Sequence, residues 1–286
     1  MRTIIQVSDL HFGEILQPTL EPLLQVMHDI KPDLVIVSGD LTQRAREEQF
    51  QQARAYIDRM PAPKLIVPGN HDIPLYDVFR RFLAPLNRYQ EHITTNLAPV
   101  FIDEEIAVVG LDSARSLTFK GGTLSHEQVA AAQLRFANAG GNPVRIVVTH
   151  HPFDIPVALS GVKIVNGARH ALKEFAKCDV SLFLTGHLHL VHRASASIFV
   201  PGYHALLLGA GTATSTRARG EPNSFFVFRI DHTRFDSECI EVETHSWNPA
   251  HHQFEIADRR WMPRVTRESR GMRVASIQGH GSGITA

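Results

Sequence analysis

Seven side chains set the chemical possibilities of this chain: Asp9, His11, Asp40, Asn70, His150, His187 and His189. In the pairs Asp9-x-His11 and His187-x-His189, a turn leaving a strand aims residues i and i+2 into one cleft while the backbone stays extended. Gly39, Gly69 and Gly186 stand immediately before Asp40, Asn70 and His187, where glycine permits close backbone approach and unusual φ. Imidazole, carboxylate and amide oxygen together suit borderline first-row ions such as Zn, Mn, Fe or Co, and no cysteine stands among them to favour a softer metal. Seven donors exceed one tetrahedral site, so two ions sharing a donor are expected. Any of these residues alone is more commonly a turn former or helix cap; the inference rests on the set.

The elements that must position them follow from the periodicity. Short β-rich runs at Thr3–Val7, Leu34–Val37, Leu65–Val67, Ala107–Leu111, Arg145–Thr149 and Leu182–Leu184 each lead into a polar turn. Helices are expected at Thr19–Ile30, Arg44–Met60, Leu75–Leu83, Ser125–Asn138 and Ala168–Lys177, with Ser125 and Gln128 as a capping box and Asn166 near a start. Asp9 and His11 follow the first run, Asp40 the second, Asn70 and His71 the third, His150 the fifth, and His187 and His189 the sixth. In open α/β sheets ligands bind beyond the carboxyl ends of strands, so residues far apart in sequence meet on one rim. After residue 180 the pattern turns to apolar runs at Val191–Ala196, Ser197–Val200, Ala205–Leu208, Phe225–Ile230 and Glu238–Thr244, which read as antiparallel strands. Strand–helix alternation followed by strands alone predicts two mixed sheets packed face to face with helices outside, a four-layer αββα sandwich.

Length and charge narrow the field. A chain of 286 residues with 43% hydrophobic content buries a substantial core. Its 29 Lys and Arg balance 29 Asp and Glu, which gives no bias toward nucleic acid or acidic lipid. Six arginines (Arg259, Arg260, Arg264, Arg267, Arg270, Arg273) gather near the end, and outside that window 23 bases face 28 acids. The sequence divides into a domain over 1–262, α/β to about residue 190 and β-rich beyond, and a small-residue tail over 263–286 expected to be mobile. Only Cys178 and Cys239 occur, too few for a disulfide framework. With no signal-like apolar stretch before Asp9, and no run near the roughly 18 to 20 apolar residues of a membrane span, a cytoplasmic location is expected.

Together Asp9-Leu10-His11, Gly39-Asp40, Gly69-Asn70-His71-Asp72, His150 and Gly186-His187-Leu188-His189 resemble the five ordered blocks of the calcineurin-like metallophosphoesterases. The resemblance spans about residues 3 to 190. It implies the four-layer sandwich. It also implies that Asp9, His11, Asp40 and His189 hold one metal and Asp40, Asn70, His150 and His187 the second, with Asp40 as bridge. Two ions at roughly 3.5–4 Å hold a bridging hydroxide as nucleophile and clamp the phosphate oxygens. His71 is then spare, and is read as the catalytic residue that protonates the leaving oxygen or stabilises phosphoryl charge, contacting substrate together with Asn70.

The stretches Gln6–Gly13, Gly211-Thr212-Ala213-Thr214-Ser215 and Pro222-Asn223-Ser224-Phe225 resemble the bacterial class III cyclic-nucleotide phosphodiesterase branch. That resemblance implies hydrolysis of 3′,5′-cyclic AMP or a 2′,3′-cyclic nucleotide, and a homodimer. Alternatives are another phosphoester, the pyrophosphate of a lipid A precursor, or a non-catalytic scaffold of the same fold. No stable nucleic-acid binding is expected, because the body carries no basic track. Asp72 either orients His71 or caps the Pro74 turn, Asp112 reads as a turn former, and His151 is expected behind the ligands or facing solvent. His126, His170, His192, His204, His245, His251 and His252 read as ordinary histidines, and Phe225, Phe226 and Phe228 as core.

Overall fold

A computed structural model describes residues 1–265 except 62, 117–120, 158, 160, 161, 235 and 237. The first part of the chain forms β1 (Arg2–Val7), α1 (Leu20–Ile30), β2 (Leu34–Ser38), α2 (Glu47–Asp58), β3 (Lys64–Val67), α3 (Val78–Leu83), α4 (Asn87–His92), β4 (Val100–Ile102) and β5 (Ile106–Gly110). It continues through α5 (His126–Asn138), β6 (Val144–Val148), α6 (Ala168–Ala176) and β7 (Val180–Thr185). The remainder adds β8 (His192–Ser195), β9 (Leu206–Gly209), β10 (Ser224–Ile230), β11 (Ile240–Asn248) and β12 (Gln253–Met262).

Two six-stranded sheets result, ordered β12-β11-β10-β1-β2-β3 and β4-β5-β6-β7-β9-β8. Strands β1, β2 and β3 run parallel, as do β5, β6, β7 and β9. Their sequences are near-continuous Val, Ile and Leu because both faces are covered. Ile4, Ile36 and Val67 of one sheet meet Val108, Ile146 and Leu184 of the other in a shared core. On the outer faces, Leu23 and Phe50 of α1 and α2 pack on the first sheet, and Phe136 and Phe175 of α5 and α6 on the second. This is the four-layer α/β sandwich expected from the alternation. Phe225, Phe226 and Phe228 are buried in it. Among the described residues, no helix is long and apolar enough to cross a membrane.

The later strands pair antiparallel as expected in β8–β9, β1–β10, β10–β11 and β11–β12, but they do not form a single meander. Instead of one antiparallel meander, β9 slots in parallel beside β7, while β10 to β12 extend the first sheet across β1. Residues after 190 therefore complete both sheets. Ala196–Ile198, across the junction of two runs read as strands, forms a 3₁₀ turn in which Ser195 Oγ accepts from Ser197 N at 3.3 Å. Strand β12 escaped sequence reading because it is an edge strand carrying Glu255, Arg259 and Arg260, the charges that keep an edge from pairing further. Helix α2 begins later than expected because the Gln49 side chain accepts from Arg44 N at 2.8 Å and holds the preceding loop against Ala45 in left-handed backbone. The capping box of Ser125 and Gln128 is present. Both cysteines are free thiols.

The described members of the basic cluster, Arg259, Arg260 and Arg264, are engaged within the body. Arg259 meets Glu243 and Glu241, and Arg260 meets Asp258. Arg264 and Val265, the first described residues past β12 after Pro263, are held rather than loose. The buried Arg264 guanidinium donates to the carbonyls of His232 (2.9 Å), Asn142 (2.8 Å) and Pro143 (3.2 Å), and Val265 N donates to Ser181 Oγ at 3.0 Å. The rest of the expected tail, 266–286, lies outside the described residues. Arg264→Ala leaves these buried carbonyls without their charged donor, and urea unfolding should show a loss on the order of 3 kcal/mol; an unchanged midpoint would mean that the strap contributes nothing to stability.

Candidate metal centre

The backbone at the site is under strain. Nine described non-glycine residues have positive φ, and five of them are Asp9 (54°), His11 (51°), Asp40 (54°), His187 (72°) and His189 (57°). Left-handed backbone costs an L-residue on the order of 1 kcal/mol, so the fold holds these five against their local preference. Loops after adjacent strands brace each other: Asp9 N donates to Gly39 O (3.0 Å), His11 N to Asp40 O (3.0 Å) and Gly186 N to His150 O (3.0 Å). Of the three glycines, only Gly39 needs its φ of +92°. Gly69 and Gly186 serve by their emptiness, since a Cβ there would collide with Asp40 and with Ser8 and Asp9 respectively.

The seven residues converge on one rim, but the Asp9–His11 and His187–His189 pairs reach it through left-handed backbone and not the extended turns expected of them. Asp9, His11, Asp40 and His189 form one group whose donor atoms lie within 4.8 Å of one another, and Asp40, His150 and His187 form a second. Asn70 Oδ1 joins the second group, 2.9 Å from His187 Nδ1 and 3.2 Å from His150 Nε2. Asp40 belongs to both.

Hydrogen bonds fix which atom of each side chain faces inward. Asp9 Oδ2 accepts from Ser8 Oγ (2.6 Å) and His187 N (3.0 Å), and Asp40 Oδ1 accepts from His71 N (2.8 Å). Their other oxygens, Asp9 Oδ1 and Asp40 Oδ2, are buried with no hydrogen-bond partner among the described residues. His150 Nδ1 donates to Ser38 O at 2.8 Å and His189 Nδ1 to Arg217 O at 3.1 Å, which sets each Nε2 toward the centre. There His189 Nε2 lies 3.2 Å from Asp9 Oδ1 and 3.1 Å from His11 Nε2, and His150 Nε2 lies 3.2 Å from Asp40 Oδ2. Orphaned carboxylate oxygens and imidazole lone pairs pointed at common centres are what metal ions require, so the residues fit two cations. Nitrogen and oxygen donors without sulfur suit divalent transition metals.

Electrostatics agree with that fit. Burial alone would raise the Asp9 and Asp40 carboxyls, yet His189 and His11 around the first and His150 around the second hold both well below the usual range. His150, despite burial, is raised to about 9 by Asp40, whereas burial lowers His11 to about 4 and burial with His150 lowers His187 to about 3. The carboxylates thus favour positive charge at His150 and His189, on the side where cations would sit.

His71 packs edge-on against His11, with ring centroids 4.8 Å apart. Its Nδ1 donates to Gln43 O (2.8 Å), so the neutral ring presents Nε2 as an acceptor, 3.1 Å from Arg217 Nη1. Asp72 does neither thing expected of it. Its carboxylate accepts from Leu41 N, Thr42 N, Thr42 Oγ1 and Gly69 N, tying the loop after β2 to the loop after β3; burial and nearby Asp40 raise it to about 7 against those bonds. Asp112 closes a turn by accepting from Ala114 N at 2.8 Å. His151 does not face solvent: it is buried behind His187, at 4.8 Å between centroids, and its Nδ1 meets Ser113 Oγ at 2.8 Å. Of the other histidines, His192 pairs with Asp154, His245 with Glu243 and His251 with Glu255.

Sequence reading missed Arg217. It is presented by the loop after β9, which Thr212 and Thr214 staple to the first loop by donating to Asp9 O (2.7 Å) and Leu10 O (2.9 Å). The Gly211–Ser215 stretch noted in the sequence therefore serves as a buttress. A lone arginine in a polar loop gives no periodic signal, and only the fold shows what it faces.

The family model for calcineurin-like phosphoesterases matches residues 2–191. Among curated proteins, the glycerophosphodiester phosphodiesterase GpdQ of Enterobacter lignolyticus is 30% identical over 161 residues, covering 56% of this chain and 56% of its own length. The chain thus spans little over half of that relative. The 3′,5′-cyclic adenosine monophosphate phosphodiesterase CpdA of Escherichia coli K12 is 25% identical over 210 residues, covering 65% of this chain and 69% of its own. Solved structures share the fold at low identity. A purple acid phosphatase from yellow lupin superimposes with TM-score 0.72 at 14% identity, covering all of this chain and 57% of its own, and a dimetal phosphatase from Danio rerio with TM-score 0.63 at 14%, covering 92% and 99%.

Gly69→Ala pushes a methyl group into Asp40, the residue common to both donor groups. Calorimetric titration with Mn²⁺ should show affinity weakened about tenfold or more while circular dichroism stays native, since overpacking costs about 1–3 kcal/mol; equal affinity in the variant would argue against Asp40 as a shared donor.

Proposed function

The chain belongs to the calcineurin-like phosphoesterase family, and from that premise we propose that it is a metal-dependent phosphodiesterase acting on a small phosphodiester. The observation that carries the reading is the pair of donor groups sharing Asp40, each completed by side chains from different loops. Asp9, His11, Asp40 and His189 would hold one ion, and Asp40, Asn70, His150 and His187 the other. When bound, two such ions supply Lewis acidity toward the phosphoryl oxygens and activate water at neutral pH. A non-catalytic scaffold would have no use for five strained donors.

The chain's own residues do the rest. Ser8 and Ser38 O hold Asp9 and His150 in the orientation that leaves a free lone pair. Asn70 and His71 face the substrate, and His71 Nε2 is the atom that handles the leaving-group proton. Two N–H groups cannot face each other at 3.1 Å, so Nε2 carries a proton only when the Arg217 guanidinium has turned away. His71 thus acts in concert with Arg217.

Within this class we favour a cyclic nucleotide, 3′,5′-cyclic AMP or a 2′,3′-cyclic nucleotide, supported by the match to CpdA over 65% of the chain. A glycerophosphodiester is the second reading, supported by the 30% identity to GpdQ. The enzyme is further proposed to act in the cytoplasm as a homodimer.

Turnover of 3′,5′-cyclic AMP, 2′,3′-cyclic AMP, glycerophosphocholine and an aryl phosphomonoester, each with and without Mn²⁺, tests the activity. Metal-dependent release from a diester supports it, and no turnover of any diester sinks it. Asp40→Ala should lose both ions and nearly all activity. His71→Ala should keep both ions by elemental analysis and lose about 10²–10⁴ in kcat; full activity in His71→Ala would remove it from the chemistry.

A further inference from the structure

Beside the donor cluster lies a cavity of about 170 Å³ lined by Gln43, Arg44, Asn70, His71, Arg81 and Arg217, with apolar side chains completing its wall. At about 30 Å³ per water in the liquid, it has room for about five waters, the size of a phosphate or carboxylate with a short linker. Asn70 and His71 are common to this cavity and the centre, so a group seated here is within one short arm of the scissile phosphorus.

The charge lining it is one-sided. Three arginines line the cavity, and among the described residues no aspartate or glutamate lines it. Arg217 Nη1 donates to the neutral acceptors Gln43 Oε1 and His71 Nε2, both at 3.1 Å. Arg44 lies 5.7 Å over the Tyr76 ring, and the buried Arg81 donates to Pro74 O at 3.0 Å. Several arginines outside the cavity are matched with acids: Arg59 with Glu21, Arg193 with Asp258, Arg229 with Glu243 and Arg259 with Glu243. A concave site that gathers cations of one sign lowers the cost of an anion entering it, and the planar guanidinium fork matches the oxygens of phosphate and carboxylate.

We propose that this cavity is an anion subsite able to receive a second negatively charged group, so that among linear diesters, as distinct from the cyclic nucleotides favoured above, the enzyme prefers those with one anionic arm over those with neutral or cationic arms. The proposal rests on the phosphodiesterase reading above. A cyclic nucleotide brings only the scissile charge, and leaves the subsite empty. An anion here also draws Arg217 off His71 Nε2, which ties occupancy of the subsite to the freedom of the catalytic imidazole.

Three esters with one leaving group isolate the effect: p-nitrophenyl ethyl phosphate, p-nitrophenyl 2-phosphonoethyl phosphate and p-nitrophenylphosphocholine, assayed on the metal-loaded protein. The expected kcat/KM for the phosphonoethyl ester exceeds that of the ethyl ester by tenfold or more, with the choline ester lowest. Arg44→Gln and Arg217→Gln should bring the phosphonoethyl-to-ethyl ratio near one, while Arg54→Gln, on the exposed face of α2 beside Asp58, should keep it. A ratio of one or less in the wild type overturns the subsite with the phosphodiesterase reading intact. Equal losses on all three esters in the arginine variants overturn it as well, by assigning these groups to the scissile phosphate alone. Binding is read separately, by calorimetry with ethane-1,2-disulfonate, a weak metal ligand. Wild-type binding weakened tenfold or more in Arg44→Gln supports the subsite even if no ester is cleaved, and the same affinity in both proteins, or none in either, overturns it.

Discussion

The division of labour between the two oxygens of Asp40 is the constraint on which the rest of the structure depends. Oδ1 is engaged by His71 N at 2.8 Å, and Oδ2 is left buried and open between the two donor groups. Burying a carboxylate oxygen with nothing to accept from costs a few kcal/mol. The fold sustains that cost by surrounding the oxygen with imidazole nitrogens, His150 Nε2 at 3.2 Å and His11 Nε2 at 3.7 Å. Asp9 repeats the arrangement, with Oδ2 engaged and Oδ1 open. Each acid is thus anchored by one oxygen and offered by the other.

Backbone strain and packing follow from that demand. An acid or imidazole on extended backbone at a strand end would stand off one face of the sheet; left-handed backbone changes that direction at five of the seven donors. Five such residues cannot be held by their loops alone. They are held because the loops brace one another and because Asp72, through four donors, ties the loop after β2 to the loop after β3. The two hydrophobic sheets beneath provide the rigid edge from which the loops rise.

Much of this was legible in the sequence, for a physical reason. Strands buried on both faces are nearly pure Val, Ile and Leu, so a polar residue just beyond them stands out, and the seven donors were read that way. The sandwich followed from the alternation, and the capping box of α5 from its spacing. What escaped was what depends on partners distant in sequence. Charged β12 does not look like a strand until β11 lies beside it, and β9 looks antiparallel until β7 fixes its direction. Asp72 looked like a partner for its neighbour His71, and its partners lie 30 residues back, at Leu41 and Thr42. Local pattern identifies a donor and not what the donor is bonded to.

The same distinction separates reaction from substrate. All seven donors and His71 lie before residue 190, inside the span matched by the family model, whereas Arg217 comes from the portion that completes the sheets afterwards. Its loop is fastened to the first loop by the hydroxyls of Thr212 and Thr214, and its carbonyl orients His189. A change in that loop therefore alters the charge facing a substrate while leaving the donor set intact, provided the two threonines and the carbonyl stay in place. Loops on a rigid scaffold are where specificity varies. In this chain the loop is not independent of the chemistry, because the guanidinium that faces the cavity also lies 3.1 Å from His71 Nε2. On the proposed reading, selecting a substrate and freeing the His71 imidazole are two consequences of where one arginine points.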